Sequence, residues 1–90
     1  MKKGDWIFDG CDALGKAKSD PYEVSGRDHV DVTLYNRAGD RVGRASPAMG
    51  GPTHFEPACT ASEWYVIGKP RFPLPRYGDM RDVVRPHIEV

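Results

Sequence analysis

The clearest alternation of apolar and polar positions runs from His29 to Ser46, HVDVTLYNRAGDRVGRAS. Val30, Val32 and Leu34 alternate with Asp31, Thr33 and Tyr35, the period-two pattern of a strand with one buried face. Asn36-Arg37-Ala38-Gly39 follows. Asn suits the first position of a type I turn, and Gly39 can take the left-handed conformation that closes a three-residue hairpin loop. The stretch therefore predicts a β-hairpin with Asn36 facing Asp40, Tyr35 facing Arg41 and Leu34 facing Val42. A buried Leu–Val pair holds that ladder, and an exposed Tyr35 can lie along the Arg41 stem.

Weaker patterns flank the hairpin. Gly4 to Gly10, GDWIFDG, predicts a short strand with Trp6 and Phe8 on one face and Ile7 on the other, all coverable in a curled sheet. Cys11 to Ser19 has no clean period, and Asp12 is placed to cap one helical turn through Ala13, Leu14 and Ala17. Asp20-Pro21 marks a turn, and Tyr22-Glu23-Val24 is a brief strand ended by Ser25-Gly26. Pro47 to Pro52 (PAMGGP) is a connection, and Pro57 demotes Thr53 to Thr60 to an edge strand or loop. Glu63 to Ile67, EWYVI, is a second strong strand, with Trp64 and Val66 alternating with Tyr65 and Ile67 and both faces coverable.

From Lys69 the character changes. Pro70, Pro73 and Pro75 in KPRFPLPR force an extended, polyproline-like arm. Asp79 then caps a short helix in MRDVVR with Met80, Val83 and Val84 inward and Pro86 as its stop. HIEV at residues 87–90 is a weak final strand. About five short strands separated by turns predict a mainly β domain, a small partly closed barrel resembling the SH3-like or OB-like kind. Residues 1–68 form the barrel core. Residues 69–90 supply the Pro-rich arm, the short helix and a last strand packed on the same single domain.

Composition tightens this reading without naming a reaction. Val, Ile, Leu and Phe supply only 17 of the 90 residues, so the nine aromatic side chains carry much of the core. A chain this short has a thin margin of stability, and self-association, for instance as a homodimer, would add to it. Thirteen basic residues balance thirteen acidic ones, so no global field steers the chain to nucleic acid or membrane. The balance is locally uneven: Lys69, Arg71, Arg76, Arg81 and Arg85 outnumber Asp79 and Asp82. No secretory leader follows Met1-Lys2-Lys3, no apolar run spans a bilayer, and two cysteines make no disulfide framework. A cytoplasmic, reduced protein is the expectation.

Candidate chemistry is sparse. Asp5, Asp9 and Asp12 match no calcium-loop spacing, and turn aspartates that bond their own backbone explain them more simply. Cys11, His29, His54 and Cys59 contain no tight zinc knuckle. Cys11 and Cys59 have no adjacent base, and no nucleophile elbow, phosphate loop or metalloprotease motif is present. No enzyme activity, cofactor or metal is therefore expected. The form left over is a non-enzymatic protein-binding module, with Tyr35, Arg41, Arg71, Phe72, Arg76 and Tyr77 as candidate contacts, residue types enriched at interaction hot spots. Small motif-free β proteins are frequent among phage and mobile-element accessory factors that inhibit a host enzyme or defence complex, which makes steric occlusion the expected mechanism. The alternative is a small nucleic-acid-binding barrel that uses Lys69, Arg71, Phe72, Arg76, Tyr77, Arg81 and Arg85, bases and rings interleaved as single-strand binding requires.

Overall fold

A computed structural model describes residues 1–42 and 58–88. The protein is mainly β, with seven short strands in one antiparallel sheet and a single short α-helix among the described residues. The strands are β1 (Trp6–Phe8), β2 (Leu14–Ala17), β3 (Tyr22–Val24), β4 (Arg27–Tyr35), β5 (Arg41–Val42), β6 (Ala58–Thr60) and β7 (Tyr65–Ile67), and the helix is α1 (Met80–Val84).

The long strand β4 is the spine. On one edge it pairs with β3 at Val24–Tyr22 and then with β2 at Ala17–Leu14, the Lys18 N–H donating to the Asp31 carbonyl between them. On the other edge it pairs with β6 and β5. Beyond β2 come β1 and then β7. The hairpin register is the one that the turn chemistry predicts: Leu34 faces Val42 and Tyr35 faces Arg41. Asn36 donates to the Asp40 carbonyl, and its Oδ1 accepts from Ala38 and Asp40, while Gly39 sits at φ +91°. Tyr22–Val24 is also a strand, and Ser25 and Gly26 close its hairpin at φ +52° and +81°, the two positive values of a type I′ turn.

Strands β6 and β7 lie at opposite edges of the sheet, yet only Ala61–Trp64 separate them, with Ala61–Glu63 forming a 3₁₀ turn. The sheet must therefore curl until its two edges meet at that turn. It is not closed into a barrel, because no ladder joins β7 to β5 or β6 among the described residues.

Alternation along these strands sends side chains into two cores. Ile7, Ala17, Val30, Val32, Leu34 and Trp64 fill the inside of the curl. Phe8, Leu14 and Ile67 point the other way and pack under Leu74, Met80 and Val84 of the C-terminal segment. So the Pro-rich arm and α1 are docked, covering the second face. Asp79 caps α1 as expected, its carboxylate accepting from the Arg81 N–H, with Met80 and Val84 buried.

Two expectations are corrected. Leu14–Ala17 is a buried strand, not a helical turn, and the cap in that region belongs to Asp9, whose Oδ1 accepts from the N–H groups of Cys11, Asp12 and Ala13. Strand β7 is not covered on both faces: Trp64 and Ile67 are buried while Tyr65 and Val66 are exposed, because an edge strand has a neighbour on one side only. The expected mainly β fold of short strands stands, in seven segments because β4 is long enough to hold two short partners on each edge. The final strand reduces to one bridge, Ile67 to Ile88. The Pro47–Pro52 connection, His54 and Val90 lie outside the described residues.

Gly15 sets the depth of the curl. A Cβ there would stand 2.4 Å from Val32 Cγ1 and 2.9 Å from the Thr33 carbonyl oxygen, so β2 and β4 could not keep their present approach. Gly15→Ala is expected to lower stability by roughly 1–3 kcal/mol, the usual cost of overpacking. Denaturant unfolding checks this, and a midpoint equal to that of the unsubstituted chain would refute the close-approach argument.

Candidate functional site

The hairpin turn after β4 is where the arm is fastened. The Leu74 N–H donates to the Arg37 carbonyl (2.6 Å). The Arg37 guanidinium then forks, Nη1 donating to the Pro75 carbonyl (2.9 Å) and Nη2 to the Gly78 carbonyl (2.6 Å). One planar side chain thus closes the loop Pro75–Gly78 from the inside, a geometry that a guanidinium supplies and an ammonium cannot. Beside it Phe72 lies on the turn itself: a Cβ on Gly39 would meet Phe72 Cγ at 2.8 Å. Gly39 is thus required twice, by its positive φ and by this contact.

Closing the loop inward turns its middle residues outward. Arg76 is exposed, and Tyr77 is 87 % exposed, the most exposed of the large hydrophobic side chains among the described residues. Lys69 and Arg71 are exposed as well. Among the described residues Lys69, Arg71 and Arg76 form no ion pair, whereas Arg81 pairs with Asp79 (3.0 Å) and Arg85 with Asp82 (3.8 Å). Both acids of the segment are therefore held by their own neighbours. The net +3 of residues 69–85 resides on the three unpaired cations. The Arg81 side chain and then its backbone N–H hold the Asp79 carboxyl well below its ordinary 3.8, at about 2.

The remaining candidates fall elsewhere. Tyr35 and Phe72 are half-buried and form a three-ring cluster with Trp6, at centroid separations of 4.8 Å (Trp6–Tyr35), 5.6 Å (Trp6–Phe72) and 6.3 Å (Tyr35–Phe72). Lys16 Nζ sits 5.7 Å from the Trp6 ring. These rings pack on one another, holding the start of the arm to the sheet. Arg41 lies exposed opposite Tyr35. The structure thus brings Tyr35, Phe72, Arg41 and Arg71 to one end of the arm and Arg76 and Tyr77 to the loop beyond it. Trp6 and Arg37 belong to this site, and sequence reasoning missed both. Trp6 sits in the predicted strand with no local sign of its ring partners, and Arg37 reads as an ordinary turn residue.

The groups weighed for metal are placed otherwise. Asp5 accepts from the Lys2 N–H, Asp9 caps its own turn, and His29 Nδ1 lies 3.0 Å from the Arg27 carbonyl with its ring stacked on Tyr22. Among the described residues no three His, Cys, Asp or Glu side chains gather as metal ligands. No described helix is long and apolar enough to cross a membrane. No family model, curated protein or solved structure matches the chain.

Arg37→Ala should lower stability by about 1–2 kcal/mol through loss of the two charge-assisted bonds. Arg37→Lys should recover only part of this, as read by denaturant unfolding; full recovery by lysine would show that the fork is not what holds the loop. The α1 cap has its own signature. Because the folded Asp79 value is depressed, its contribution is complete above the ordinary carboxylate value and is lost as pH falls through about 2. The Arg81 amide resonance should therefore hold its folded position from neutral pH down to about 3. A shift centred near 4 would place the carboxylate outside the cap.

Proposed function

We propose that the protein is a non-enzymatic protein-binding module whose contact surface is the docked arm, with the Pro75–Gly78 loop at its centre. The observation that carries the reading is Tyr77, an aromatic side chain 87 % exposed on a loop already closed by Arg37. An exposed ring costs water some order and gives the fold nothing. A ring presented on a pre-shaped loop, with Arg76 beside it, can enter a partner's pocket with little further loss of backbone freedom. Arg71 and Lys69 extend the surface along the arm, and Arg41 and the Tyr35–Phe72 edge lie at its far end. A surface of this kind acts by occupying a target's working face. Inhibition of a host enzyme or defence complex by steric occlusion is the form of this reading suited to a phage or mobile-element accessory protein.

Nucleic-acid binding by residues 69–85 is the second reading, favoured by the unpaired Lys69, Arg71 and Arg76. It is the weaker one. Single-strand binding uses aromatic faces open to successive bases; here Phe72 is taken up by Trp6 and Tyr35, leaving Tyr77 as the open ring of the segment. Arg81 and Arg85 are held by Asp79 and Asp82.

Affinity capture from a bacterial lysate, with and without nuclease, separates the two. A stoichiometric protein partner should survive nuclease, and Tyr77→Ala should weaken its capture by at least roughly 30-fold, the scale of a hot-spot residue. Tyr77→Ala should leave the unfolding midpoint in place. Capture that disappears with nuclease would transfer the site to the second reading, and capture indifferent to Tyr77 would remove the loop from the interface.

A further inference from the structure

The second core occupies only part of the outer face of the sheet, where Phe8, Leu14 and Ile67 lie beneath the arm. Side chains two apart on a strand share a face, as do those opposite each other in a ladder. Register therefore puts Lys16, Tyr22 and Arg41, and along β4 Arg27, His29 and Asp31, on this same face. None of these six belongs to the second core.

The hairpin of β3 and β4 sorts its charges by face. Glu23 and Asp28 oppose each other across the ladder and so share the other face, while Arg27 and His29 point outward. Among the described strand residues, the outer face carries Lys16, Arg27 and Arg41 against the single carboxylate of Asp31. That carboxylate accepts from the Tyr22 hydroxyl (2.7 Å). Lys16 and Arg27 form no ion pair among the described residues. A chain of zero net charge thus presents more bases than acids on one side of its sheet.

Rings lie among these cations. Tyr22 is exposed, and its ring stacks on half-buried His29 with centroids 6.2 Å apart and planes 27° apart. The Lys16 ammonium stands over Trp6, which is half-buried at the border of the arm. From the Arg27 row to the Tyr35–Arg41 row is the length of β4, about 26 Å. Cations spread along a strand's length of sheet, with a stacked ring pair between them, suit a chain of alternating phosphates and open bases. A duplex keeps its bases stacked on one another and has none to offer Tyr22.

We propose that this open part of the outer face binds single-stranded nucleic acid, a base stacking on Tyr22 and the phosphates following Lys16, Arg27 and Arg41. The site is distinct from the Pro75–Gly78 loop and uses none of residues 69–85, so it rests on neither reading given above.

Fluorescence anisotropy of the full chain with labelled oligo(dT) and oligo(rU) of about 15 nucleotides tests it. Both should bind at low salt, and a duplex of the same length should bind roughly tenfold more weakly or worse. Three neutralised phosphates should give a slope of about −2 in log affinity against log salt. Lys16→Glu and Arg27→Glu should each weaken binding by roughly tenfold, with the unfolding midpoint retained. Tyr22→Phe should bind as the unsubstituted chain does, and Tyr22→Leu should lose roughly fivefold or more, because the ring and not the hydroxyl holds the base. Arg76→Glu should change nothing. No binding at low salt would overturn the proposal, and so would a duplex bound as tightly as a single strand. Loss with Arg76→Glu but not with Lys16→Glu would overturn it as well. Capture of a protein partner through Tyr77 is read in a separate experiment, so the two surfaces stand or fall independently.

Discussion

The second core of this protein exists because one arginine lies between two carbonyls. Phe8, Leu14 and Ile67 project from the outer face of the sheet, and Leu74, Met80 and Val84, with Phe72 and Val83 beside them, keep water from them. The segment that brings those residues is rich in proline, so it has few N–H groups with which to pair to a strand. It is held by other means: one backbone bond from Leu74, the forked guanidinium of Arg37 and the Phe72 ring on Gly39. All three converge on the turn between β4 and β5. A turn that would otherwise only reverse the chain is thereby the anchor for a quarter of the fold.

The inner core obeys a different constraint. Among the described residues six buried side chains form its centre, with Met1, Ala13, Val42 and Ala61 packed against them, and β2 and β4 approach closely over Gly15. Small side chains at that crossing, Gly15 and Ala17, let Val32 and Leu34 fill the space that a wider curl would leave empty. Thin aliphatic content and tight curvature are two aspects of one solution.

What could be read from the sequence follows from the range of the cause. The Leu34–Val42 register was legible because Asn36 and Gly39 fix it within five residues, and the Asp79 cap because helix capping is local. The Ser25-Gly26 break was legible for the same reason. Strand β2 was not, since Leu14-Gly15-Lys16-Ala17 has strand character only when Val32 and Ile7 lie against it. Likewise the alternation in EWYVI shows strand but not edge, because the number of neighbours is a property of the whole sheet. At the candidate site the exposed types, Arg76 and Tyr77, were visible in the sequence. The reason they are exposed, a guanidinium some forty residues earlier, was not.

The order of the cores along the chain bears on how the protein is made. Strands β1 to β5 are complete at Val42, whereas the residues that cover their outer face begin near Leu74 and finish at Val84. At ordinary rates of synthesis the gap amounts to seconds. Until then Phe8 and Leu14 lack the side chains that cover them in the finished fold. The arm is therefore a late-arriving cover, the last part of the chain to reach the face that depends on it.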